Sequence, residues 1–250
     1  MDADVLTSLS PAVAIAGMVV CFLAAALGAV SGMGGGMLVT LFITPIVGAK
    51  AVLPILSVYM LINNGTRVWF YREALVWKHA LLIGGIAIPA SALGALVYVR
   101  LEGEAIQIML GAILIASIPL RRWMEGRELR PGKGTVIAVS GAFGFLTSII
   151  VGAGMLIIPI LMGLGHLGPA LLATDAAIAV MVNIAKIIFY GGLDALTLPM
   201  TGLALAMGLC AIPGTWLGVW VVRHTSIRVH TLMVEALILV GGGSMIWRAL

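Results

Sequence analysis

Two small groups of residues stand out for the chemistry they could do. Asn63, Asn64 and Arg67 lie together in the first half of the sequence, and Asn183 and Lys186 lie together in the second. On a helix, i and i+3 spacing puts Asn64 and Arg67 on one face, and likewise Asn183 and Lys186. An amide beside a cation suits the binding of an oxyanion. The competing reading has Arg67 and Lys186 extending their charged tips to lipid headgroups. Glycines form a second group. Ser31-Gly32-Met33-Gly34-Gly35-Gly36 and Val151-Gly152-Ala153-Gly154 each interrupt a long uncharged run. Glycine lets a helix end and restart inside a membrane, and the restarted end presents backbone N–H groups with partial positive charge. Such an end attracts anions. The expectation is a shared cavity between restarts at Gly34–Gly36 and Gly152–Gly154, with Ser31, Thr147 and Ser148 at its edge. Close helix packing through glycine is the competing reading.

Asp175 precedes Lys186 in an apolar context. A carboxylate inside a membrane is costly, so Asp175 is expected to face a cavity or partner and is a candidate to carry a coupling proton, unless a turn there places it at the membrane surface. Lys50 is read as such a surface marker. No catalytic set is apparent: there is no Ser/His/Asp arrangement, no His-Glu-x-x-His and no paired aspartates of an intramembrane protease. His79, His166, His224 and His230 lack metal-ligand spacing, and Cys21 and Cys210 are isolated in apolar stretches, so no metal, cofactor or enzyme activity is expected. Gly132-Lys133-Gly134-Thr135 only superficially resembles a phosphate loop, lacking the preceding strand.

The elements that must position these residues follow from composition. Of 250 residues 62% are hydrophobic and only 10% charged, against about 25% in a soluble domain, and mean hydropathy is +1.18. A water-soluble fold is excluded, because so few charges cannot cover the surface of a globule. The net charge of +4 arises from basic residues in short segments between apolar stretches, the pattern of cytoplasmic loops and not of a nucleic-acid surface. The acids Asp2 and Asp4 make the first apolar stretch a retained span and not a cleaved signal. The charge-free runs 5–49 and 134–174 each exceed the ~20 residues of one spanning helix. Further apolar stretches cover 51–66, 80–99, 105–120, 176–190, 198–222 and 231–247. Long unbroken runs without alternation predict helices, not a barrel.

The halves repeat. Gly36-Met37-Leu38 matches Gly154-Met155-Leu156; Asn64, Arg67, Phe70 and Tyr71 match Asn183, Lys186, Phe189 and Tyr190; Ile88-Pro89 with Leu93-Gly94 matches Ile212-Pro213 with Leu217-Gly218. Ser57 stands where the second copy has Asp175. The basic residues concentrate in 67–78, 121–133 and 223–230, which should face the cytoplasm, while 100–104 and 191–199 should face outward. The two copies are then inverted, an architecture recurrent in secondary transporters, with the substrate site near the midplane. The expected fold is an all-α integral membrane protein: repeats at 1–120 and 134–250, a basic linker at 121–133, about four to five membrane segments per repeat and roughly 8–10 in all, with helices broken at the glycine motifs.

Gly28-x-x-Ser31-Gly32-x-Gly34-Gly35-Gly36-x-Leu38, then Asn63-Asn64 and Arg67, then Trp77-Lys78 and a helix with Ile-Pro-Ala-x-x-Leu-Gly-Ala, resembles the sulfite exporter TauE/SafE family, also called the sulfonate uptake permease family. The resemblance covers nearly the whole chain, and Gly152-x-Gly154 with Asn183 fits it in the second copy. It implies a multi-pass inner-membrane carrier for a small anion such as sulfite, sulfoacetate or another sulfonate. Asp175 departs from the small hydroxyl residue that often follows Thr174's position in that family. The expected partners are a small anion and the bilayer, with no nucleic acid; a homo-oligomer is left open, as is the direction of transport. An anion channel and a membrane assembly protein without transport are the alternatives.

Overall fold

A computed structural model describes residues 11–31, 35–124 and 131–222. Gly34, residues 125–130 of the basic linker, the basic segment 223–230 with His224 and His230, and the apolar stretch 231–247 lie outside the described residues, and of Ser31 only the backbone is described. The helices are α1 (Pro11–Ser31), α2 (Gly35–Val47), α3 (Ala49–Tyr71), α4 (Trp77–Arg100), α5 (Gly103–Met124), α6 (Lys133–Thr147), α7 (Ile157–Gly163), α8 (Gly168–Gly192) and α9 (Leu198–Val222). Short 3₁₀ turns at Arg72–Ala74 and Ala153–Leu156 follow α3 and precede α7. No strand occurs among the described residues.

Four helices are long and apolar enough to cross a membrane, at Ala12–Ala29, Trp77–Arg100, Gly168–Gly192 and Leu198–Trp220, and shorter apolar helices occupy Gly35–Val47, Lys133–Thr147 and Ala153–Gly163. The chain is an all-helical membrane protein. Trp69, Trp77, Trp216 and Trp220 are exposed, as suits indoles placed at membrane interfaces.

Glycine contacts reveal how the helices run. Gly17 lies against the Phe42 ring and Gly35 against Ala24, so α1 and α2 are antiparallel neighbours. Gly214 packs on Phe22 and Gly218 on Ala26, which makes α9 parallel to α1. In the same way Gly144 packs on Ala87 and Gly94 on Phe145, so α4 is parallel to α6. After α7 the chain reaches His166, whose Nε2 is 2.6 Å from Nδ1 of His79 in the first turn of α4. The segment α6–α7 therefore returns to the end from which it started. Several contacts occur twice with the halves exchanged. Gly84 meets Met181 as Gly208 meets Ile62, and Gly94 meets the Phe145 carbonyl as Gly218 meets that of Ala26.

At the centre α3 packs along α8. Tyr59, Tyr98 and Tyr190 are fully buried, and their hydroxyls donate to main-chain carbonyls of other segments. Tyr98 donates to Ala49 at 2.8 Å and Tyr190 to Ser148 at 2.5 Å, which ties the start of α3 and the break after α6 to the helix ends around them.

Candidate functional site

The two chemistry-bearing segments and the two glycine interruptions converge on one cavity of about 140 Å³. Of the residues singled out from sequence, Gly35, Gly36, Asn63, Asn64 and Arg67 line it from the first half. Gly152, Gly154, Asp175, Asn183 and Lys186 line it from the second. Thr147 is also in the wall, whereas Ser148 is buried behind it with its carbonyl taken by Tyr190.

Arg67, one turn before the end of α3, is only 4% exposed. Its Nη1 donates to Asn64 Oδ1 at 3.0 Å, the i, i+3 pairing that their spacing implies, and its Nη2 reaches Asp175 Oδ2 on α8 at 3.4 Å. Among the described residues its Nε has no partner. Lys186 is equally buried and donates from Nζ to the Thr147 carbonyl at 2.8 Å, capping the C-terminal end of α6 with a cation, where the helix dipole favours it. Both cationic tips are thus held inside the protein, not at headgroups. Asn63 does a different job from Asn64: its Oδ1 accepts from Thr215 on α9 at 2.8 Å, which fixes α3 to α9. Asn183 makes no side-chain hydrogen bond among the described residues, so its amide is free to face a ligand.

The four glycines divide by role. A Cβ on Gly35 would stand 2.5 Å from the Ala24 carbonyl oxygen, so this glycine serves the close approach of α1 and α2. One on Gly36 would strike the Met60 methyl. Gly152 has φ +90°, the left-handed region that glycine alone enters readily, and turns the chain under the Met37 methyl. Gly154 has open space where a side chain would be, on the cavity side. The interruptions also differ in form. The first is followed by the 13-residue α2, whereas the second is followed by a 3₁₀ turn and the seven-residue α7, whose dipole is small.

Several features have no signature in the sequence. The Arg67–Asp175 pair joins residues far apart in the chain, and so does the part-buried His79–His166 pair. The apolar walls from Leu53, Leu56, Met60, Phe143 and Val182 are indistinguishable by type from ordinary packing. Met37 could have been found, since it repeats as Met155 beside the second break. Counting formal charges on the described lining, Arg67 and Lys186 outnumber Asp175, leaving one net positive charge.

The family model of the sulfite exporter TauE/SafE family matches residues 17–245. The chain belongs to the TauE/SafE family. The match takes in every described residue of the cavity, so the site lies within the family's own fold. TauE/SafE proteins are membrane transporters, and the helical membrane architecture agrees with that. No curated protein and no solved structure matches this TauE/SafE chain.

Proposed function

We propose that this TauE/SafE protein is a secondary carrier of the inner membrane that moves a small sulfur-containing or organic anion, such as sulfite or a sulfonate. The observation that carries the reading is the cavity between α3 and α8, with two buried cations, two free or partly free amides and the Gly154 backbone on one small volume. At about 140 Å³ it is close to the ~150 Å³ of an engineered protein cavity that accommodates benzene, which suits an anion of a few heavy atoms. Arg67 and Asn64 would hold it from the first half, Asn183 and Lys186 from the second.

Inverted repeats support alternating access about this site. The exchanged glycine contacts are what a pseudo-twofold axis relating the halves would produce, with α1–α2 entering from one end and α6–α7 from the other. On this arrangement the turn after α3, the linker before α6 and the end of α9 share one face. In sequence the basic segments 67–78, 121–133 and 223–230 adjoin these points, which makes that face the cytoplasmic one by the distribution of Lys and Arg.

Uptake of radiolabelled sulfite or a short sulfonate into proteoliposomes tests the reading. Saturable flux that exchanges internal for external anion is the expected result; no flux across a broad anion panel would overturn it. Voltage-driven currents far above carrier turnover would instead mark a channel.

A further inference from the structure

Asp175 is the cavity residue that an anion site would be better without, since its negative charge repels the ligand. Yet it lies in the lining and is bonded to one of the two buried cations there. The bond itself is loose. One contact of 3.4 Å links Nη2 to Oδ2, longer than the ~2.7–2.9 Å of a good charge-assisted bond, in place of the two parallel bonds that arginine and a carboxylate can form. Arginine has five N–H donors, and here they meet Asn64 Oδ1 and Asp175 Oδ2 with Nε unpartnered. Buried donors without acceptors cost free energy, so an oxyanion entering beside Arg67 gains what the present pairing leaves unused. It cannot do so beside a charged Asp175, because two anions at one guanidinium repel.

The charges near this part of α8 are few. From α3 comes Arg67; the turn after α3 carries Arg72 and Glu73, α4 opens with Lys78 and His79, and His166 follows α7. Arg72, Glu73 and Lys78 are exposed, and the two histidines bond each other. Among the described residues Arg67 is the charged group paired with Asp175. The Asp175 side chain is 12% exposed, which gives protons access to it.

We propose that Asp175 is a tethered anion: it occupies Arg67 while the site is empty and yields it to the substrate by taking up a proton, so that one anion and one proton bind together. This inference rests on the anion-carrier reading. The proton comes from water on the side to which the cavity opens, sits on a carboxyl oxygen of Asp175 and leaves with the anion; Arg67 stays charged throughout. Lys186 takes no part in the exchange, being held by the Thr147 carbonyl. The carrier then moves a monoanion without net charge.

Calorimetric titration of the purified full chain with ethanesulfonate, whose own charge is constant from about pH 5 to 8, tests this when repeated in two buffers of different ionisation heat. Wild type should take up about one proton per anion over part of that range, with affinity rising by about tenfold per pH unit lowered there. Asp175→Asn should bind with no proton uptake and a flat pH profile, at least as tightly as wild type at its acidic limit. Asp175→Ser, which supplies the hydroxyl that Ser57 has in the first half, should do the same and stands in if the amide variant does not fold. Binding by wild type without proton uptake, or uptake retained in a folded variant, overturns the inference and leaves the carrier reading intact. Failure of ethanesulfonate and sulfite alike to bind wild type overturns both.

Discussion

Arg67 and Lys186 occupy matching positions in the two halves and are equally buried, yet they are held by different things. Arg67 is tied to side chains, Asn64 and Asp175, whereas Lys186 is tied to the main chain at Thr147. The difference traces to one position. Where the second half has Asp175, the first has Ser57, which donates to the Pro54 carbonyl at 2.6 Å within its own helix and offers no counter-charge. Arginine, with its planar fork, can serve a carboxylate and an amide at once; lysine is a compact charge that one carbonyl can anchor. One end of the cavity is therefore an ion pair that can be exchanged, the other a fixed positive point.

The largest expected effect comes from breaking the pair. Arg67→Ala leaves Asp175 buried without a partner, and thermal or chemical denaturation should show a loss of about 3–5 kcal/mol. Adding Asp175→Ala should recover most of it; strictly additive losses would show that the two ends do not differ in the way described. The glycines sharpen the contrast next. Gly35→Ala forces a methyl against the Ala24 carbonyl and should cost about 1–3 kcal/mol, whereas Gly154→Ala should fold as wild type and lose anion affinity. Equal stability of the two variants would return Gly35 to a ligand role.

Lys186→Met should cost less again, about 1 kcal/mol or below, since only the Thr147 carbonyl loses a partner and a buried charge is removed with it. Anion binding should nevertheless be lost, measured as absence of ligand-induced thermal stabilisation. The smallest effect is expected at the rim. Burial, with the neighbouring His79, lowers the pKa of His166 from 6.5. The folded protein thus binds this proton less readily than the unfolded chain. The stabilisation is complete above pH 6.5 and fades as pH falls through the lower folded value. In ligand-free protein His166→Gln should flatten that decline in a melting-temperature series from neutral to acidic pH.

Much of the helix pattern was legible because apolar runs end where lipid ends. The stretch 198–222 coincides with α9. The misjudged ends are instructive: α3 was expected to stop at Thr66 and continues to Tyr71, and α8 was expected from Ala176 and begins at Gly168. In both cases a charge, Arg67 or Asp175, looked like a membrane boundary. Each charge instead has the other as partner inside the protein, so the helix continues past it. The residues facing the cavity were legible because asparagine and lysine in an apolar run demand a reason. Their partners were not, since Thr147 acts through its backbone and Asp175 reaches across from the other copy.

The exchanged glycine contacts bear on how the protein is made. The notches on α4 at Gly84 and Gly94 are filled by α8 and by the end of α6, which are synthesised later, and those on α9 at Gly208 and Gly218 are filled by α3 and α1, which are synthesised first. The notches of the first copy therefore lack these partners until the second copy has been made. Assembly on this view joins two incomplete halves, each supplying the side chains and backbone that fill the other's glycine notches.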